Sequence, residues 1–62
     1  MKYTYNVFDV STRDLVETIE CEHVSFMGGN TMIAFSVWKN ASTNYIAFYP
    51  TAHFYVRMVE NG

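Results

Sequence analysis

One cysteine, Cys21, is the whole thiol inventory of this 62-residue chain, so no disulfide can close within it. Positive charge is equally thin. Lys2, Arg13, Lys39 and Arg57 lie far apart, and the formal net charge is −2. Surfaces that track phosphates need clustered cations, because their affinity comes from counterion release. The composition therefore argues against nucleic acid as a partner. The first ten residues, MKYTYNVFDV, alternate polar and apolar side chains and lack the continuous apolar stretch of a secretion signal. No apolar run approaches the roughly 18 residues of a membrane-spanning helix, and no membrane role is expected. A free thiol without a secretion signal suits a reducing, cytoplasmic setting. There the sequon Asn40-Ala41-Ser42 is a chance match. Linkers, low-complexity segments and charge blocks are also missing, which leaves a single domain over residues 1–62.

Apolar and aromatic side chains are what the chain has in quantity, at 50% and 18% of residues. A chain this short buries only about 60% of the surface its unfolded form exposes. Small domains compensate with disulfides, a metal, oligomerisation or large core side chains. The first is impossible here and the last is plainly available, since each aromatic buries roughly 150–250 Å².

The apolar residues recur with a period of two. Lys2–Val10 is expected to be a strand, followed by a polar turn over Val10–Asp14 and a second strand over Leu15–Cys21. Glu22–Met27 continues it after a bend or forms a strand of its own. Gly28-Gly29-Asn30 tolerates positive φ at each residue and predicts a tight hairpin into Thr31–Trp38. Lys39–Asn44 is a polar loop, Tyr45–Tyr49 a strand closed by Pro50, and His53–Val59 the last strand. A helix is an alternative only for Thr12–Cys21, and the β-branched Val16, Thr18 and Ile19 favour the strand. The expected fold is all-β, a small antiparallel meander of five or six strands, as an SH3-like or OB-like barrel or a curved sheet. Ile33-Ala34-Phe35 and Ile46-Ala47-Phe48 echo one another as two neighbouring strands with similar needs would.

Chemistry-bearing constellations are sparse. Glu20-Cys21-Glu22-His23, with the distant His53, is the one group of metal-ligand types. On a strand Cys21 and His23 share a face, but half of a four-ligand zinc set is missing. No metal and no cofactor is expected. No nucleophile elbow or cysteine-protease context surrounds Cys21, His23 or His53, and so short a chain has little material for a ligand-sized pocket. No catalytic residue is assigned and the protein is not expected to be an enzyme. Phosphate-cradling glycine loops open a helix, whereas Gly28-Gly29-Asn30 precedes a strand.

The stretch MIAFSVW, Met32–Trp38, carries the remaining signal, because both of its alternating faces are largely apolar. One inward set is Val7, Ile19, Val24, Phe26, Ile33, Phe35, Val37, Ile46, Phe48, Phe54, Val56 and Met58. The opposite set is rich in Tyr, Trp and Met: Tyr3, Tyr5, Met32, Trp38, Tyr45, Tyr49 and Tyr55. Such residues are enriched at protein interfaces. Rim packing, with ring inside and hydroxyl in water, is the bland reading; stacking of a nucleotide or other small ligand is a third. A homo-oligomer, favoured as a dimer through this set with Trp38 as its anchor, is expected.

The chain begins with Met1 and carries its own apolar inventory, as a complete small gene product would. Such proteins are common in phages and mobile elements, where many block a host protein. The expected function is thus a viral or mobile-element accessory protein that self-associates and binds and inhibits or modulates a host protein, for example in host defence evasion. A binder of a small ligand through stacked aromatics, or a structural accessory subunit of a larger particle, are the alternatives.

Overall fold

The computed structural model describes residues 2–59. Six strands follow one another: β1 (Tyr3–Asp9), β2 (Leu15–Cys21), β3 (His23–Met27), β4 (Met32–Lys39), β5 (Ser42–Pro50) and β6 (Phe54–Met58). All pairings are antiparallel, and they form two three-stranded sheets, ordered β2–β1–β6 and β3–β4–β5. The expected all-β class holds, and no helix occurs among the described residues. Of the shapes anticipated, a closed barrel is not formed: the strands make two separate sheets, with β5 and β6 in different ones. Thr12–Cys21 contributes a strand, as its β-branched residues favour.

The sheets share one bent run of chain. β2 ends at Cys21 and β3 begins at His23, with only Glu22 between them. The Glu22 N–H still donates to Ser36 O at 3.0 Å, so the chain stays bonded to β4 while it crosses between sheets. A bend there lets the meander fold over itself without a loop.

Turn chemistry sets the other junctions. After β1, Asp9 Oδ1 accepts the N–H groups of Ser11 (2.8 Å) and Thr12 (3.2 Å), which holds this carboxyl below its ordinary pKa. The β3–β4 hairpin carries positive φ at Gly28, Gly29 and Asn30, as the sequence predicts. A Cβ on Gly28 would lie 2.8 Å from Thr31 Oγ1, which itself donates to Gly28 O. The β4–β5 connection is tighter than the six-residue loop expected. Lys39 pairs with Ser42, and only Asn40 (φ 53°) and Ala41 (φ 59°) turn the chain. Both residues in the left-handed region make the turn whose twist matches a hairpin.

Alanine is a poor occupant of that region. It costs roughly 1–2 kcal/mol there, and glycine returns roughly half of this through unfolded-state entropy. Ala41→Gly is therefore expected to stabilise the fold by about 0.5–1 kcal/mol. The midpoint of a urea transition should rise; a fall would show that the turn has another geometry.

The core lies between the inner faces, where Val7, Ile19 and Cys21 of one sheet meet Ile33 and Phe35 of the other. Tyr5, Tyr49, Phe54 and Val56 pack around them. It is a thin core. The molecule measures 38 × 32 × 14 Å with a radius of gyration of 11.8 Å, against roughly 10.5 Å for a compact domain of this length. A slab of that shape leaves many large apolar side chains on its outside.

Candidate interaction surface

Pairing and alternation divide the two outer faces cleanly. On β4, Ile33, Phe35 and Val37 point to the core, so Met32, Ala34, Ser36 and Trp38 point away from it. Opposite Ala34 stand Ser25 on β3 and Phe48 on β5; opposite Ser36 stand His23 and Tyr45. Phe48 and Tyr45 are three residues apart, which on a regular strand would send them to opposite faces. A bulge resolves this. Phe35 pairs with Ala47 and Ser36 with Tyr45, leaving Ile46 as the extra residue. The rings of Tyr45 and Phe48 thereby meet on one face, their centroids 5.3 Å apart.

Four side chains dominate the exposed area of this face: Trp38 (59% exposed), Phe48 (49%), Tyr45 (48%) and Met27 (39%). Between them Ala34 and Ser36 are buried although they lie on the outer side. The small central row is roofed by its larger neighbours. Lys39, the last residue of β4, is the single Asp, Glu, Lys or Arg within the three strands, and the Glu22 carboxylate lies beside them at Trp38.

Trp38 is held by an acidic residue from the crossing point. β3 stops pairing at Ser36, and the Glu22 carboxylate takes over, accepting the Trp38 N–H at 2.7 Å. That bond is the main reason the Glu22 carboxyl sits below the usual range. A charged acceptor thus fixes the backbone of the largest exposed apolar side chain.

The other outer face differs. On β2–β1–β6, Asn6 accepts a bond from Thr18 Oγ1 at 2.8 Å, and Arg57 stands opposite Asn6. Glu20 lies opposite Thr4. A stacked pair, Phe8 and Tyr55 with centroids 5.2 Å apart, shares this face with the polar groups.

The structure separates the aromatic set expected from sequence. Met32, Trp38 and Tyr45 come together on the outer face of β3–β4–β5. Tyr5 and Tyr49 turn to the core, each edge-on to Phe35. Tyr3 lies at the margin of the inner side, opposite Cys21, and Tyr55 belongs to the other sheet. Phe48, assigned inward from the alternation, replaces Tyr49 on the exposed face, and Met27 joins it. Ile46 and Met58, also assigned inward, are half exposed, as is Phe26. On β5 the bulge is the cause, because a period-two reading carried unbroken through Tyr45–Tyr49 inverts one half of the strand; Tyr5 follows Val7 inward by plain alternation.

The residues considered for chemistry do not assemble. Cys21 is buried, its thiol donates to His23 O at 3.4 Å, and burial pushes its pKa up. Its reactive thiolate is thereby disfavoured. Among the described residues no group of three or more His, Cys, Asp or Glu is placed to hold a metal. No helix among the described residues is long and apolar enough to cross a membrane.

Fold and surface together define a two-sheet all-β domain with one aromatic-rich outer face. No family model, curated protein or solved structure matches the chain.

Proposed function

We propose that the protein is a small non-enzymatic binding module that docks on another protein through the outer face of β3–β4–β5. In the fuller form of this reading, it is a phage or mobile-element accessory protein that binds and inhibits or modulates a host protein. The observation that carries the docking reading is the exposure of Trp38, Tyr45, Phe48 and Met27 on the outer side of three strands that hold no Asp, Glu, Lys or Arg except Lys39. Exposed apolar patches of this kind mark interaction sites, and buried Trp and Tyr dominate interface energetics. The reading is specific about which side of the slab binds.

A photoreactive amino acid at position 45 should cross-link a host protein in cells, and the same group at position 20 should not. The captured protein, purified, should lose or change its activity on adding the wild-type chain. Trp38→Asp should bind it at least about 30-fold more weakly, as for loss of a hot spot worth about 2 kcal/mol. Equal cross-linking from both positions, or undiminished binding by Trp38→Asp, would overturn the assignment of this face.

A further inference from the structure

We infer that the Glu22 carboxylate is an acid-released latch on the docking face: ionised, it holds the Trp38 end of β4 in place, and protonated, it lets that end go. The latch itself stands apart from the docking reading. Only its consequence, a face that is complete at neutral pH and loses its tryptophan anchor in acid, rests on that reading.

The crossing between the sheets creates the need. β4 runs on to Lys39, but β3 pairs with it only as far as Ser36, because the chain before His23 turns away into β2. Trp38 therefore lies beyond the β3 ladder. Glu22, the one residue between β2 and β3, fills the gap with both its backbone and its side chain. Its N–H donates to Ser36 O at 3.0 Å, and its carboxylate accepts the Trp38 N–H at 2.7 Å. On the other side, the same stretch of β4 is paired with Thr43 and Ser42 of β5.

The turn beyond Trp38 makes the tether matter. Asn40 (φ 53°) and Ala41 (φ 59°) both lie in the left-handed region, which is costly for alanine. A hairpin end closed by an unfavourable turn and exposed to solvent belongs to the low-stability parts of a fold, which open locally. Trp38 is 59% exposed, so little packing holds its indole once the backbone beneath it is released.

Charge makes the tether switchable. A hydrogen bond to an ionised acceptor is roughly twice as strong as a neutral one, so this bond is at full strength only while Glu22 is ionised. The Glu22 pKa lies below the ordinary 4.5, chiefly because the Trp38 N–H donates to the carboxylate, while partial desolvation opposes the lowering. The amino terminus and His23 on β3 add to it through their positive charge. Lys39 follows Trp38 on β4. The Cys21 thiol, at the end of β2, is itself pushed up, by burial first and by the Glu22 charge in smaller part. A lowered folded-state value means that the native state holds the Glu22 proton less tightly than the unfolded chain. The contribution of the bond is thus complete above about 4.5 and is lost as pH falls through the lower folded value.

Amide NMR tests the latch on the free protein. The Trp38 amide proton should move through one titration as the pH falls from about 7 to about 3, with its midpoint below 4.5. Over that interval its protection from hydrogen exchange should fall at least about tenfold relative to that of Ile33 in the core. In Glu22→Gln, whose neutral amide oxygen still accepts, this titration should vanish; His23 is present in both proteins and drops out of the comparison. In Glu22→Ala the Trp38 amide should lose the same protection already at neutral pH. A wild-type Trp38 amide that does not titrate, or that titrates alike in Glu22→Gln, would overturn the inference. So would protection that holds through the titration. The wild-type measurement decides the matter even where a variant fails to fold. The docking reading fails separately, when Trp38→Asp still binds the captured target fully.

Discussion

Phe35→Ala is expected to abolish cooperative folding at 25 °C. Phe35 has 0% exposure and sits where the two sheets meet. Its ring stands edge-on to Tyr5 at a centroid distance of 6.2 Å and to Tyr49 at 6.0 Å. Truncating a buried Phe costs about 3–5 kcal/mol through lost transfer energy and the cavity left behind. A domain of this length has roughly 3–9 kcal/mol of total stability, and the thin core offers no neighbouring layer to collapse into the space. Near-ultraviolet circular dichroism should lose its aromatic signal and urea unfolding its sigmoid. Phe26→Ala is the matched comparison. Phe26 pairs with Ile33 on the inner side, yet it is 55% exposed at the slab's margin, and its loss should cost less than half as much. Equal effects at the two positions would mean that the core is not where the sheets overlap.

Tyr49 should show two separable contributions. It packs edge-on against Phe35 and Phe54, and its hydroxyl donates to the Glu17 carboxylate on β2. The side chain thus ties β5 to the opposite sheet, by ring and by proton. Tyr49→Phe removes only the bond, at a cost of about 1 kcal/mol at this partly solvated site. Tyr49→Ala removes the rings' contact as well and should cost about 3 kcal/mol. The bond also has a pH signature. The Glu17 carboxylate accepts the phenolic proton, which together with burial pushes the Tyr49 pKa up from 10.0 to about 12. A raised folded-state value means that the native state holds this proton more tightly than the unfolded chain. The stabilisation is complete below the unfolded value near 10 and is lost as pH rises through about 12. Wild type should therefore lose more stability than Tyr49→Phe across that interval, and the two should converge above it. Parallel loss in both proteins would show that the hydroxyl does not bridge the sheets.

Much of this architecture was legible in the residues. Leu15–Cys21 starts and stops where the alternation and the β-branched side chains place it. Gly28-Gly29-Asn30 turns as its tolerance of positive φ demands. Val7, Ile19, Ile33 and Phe35 lie in the core as expected, because each has at least one apolar neighbour two residues away on the same face of its strand. The Asn40-Ala41 turn escaped notice for a local reason. Alanine gives no signal for the left-handed conformation, so a two-residue turn looked like part of a longer polar loop.

The candidate face was only half legible, and β5 shows why. The echo of Ile33-Ala34-Phe35 in Ile46-Ala47-Phe48 suggests like orientations, yet Ile33 pairs with Tyr49 and Phe35 with Ala47. Antiparallel pairing and one extra residue place Ala47 and Tyr49 inward and Phe48 outward. Tyr49 tolerates its place because Glu17 meets its hydroxyl across the sheets, a contact between residues 32 positions apart.

Composition and period thus determined the class of fold, its strands, its main turn and the existence of an aromatic surplus. Those properties depend on neighbours within a few residues, where backbone sterics and alternation act. Which aromatics form one surface was decided by the tertiary structure alone. A bulge in the pairing of β4 with β5, between Phe35 and Ser36, shifts register by a single residue. Register between strands is a matter of pairing partners, which the alternation within one stretch of chain does not encode.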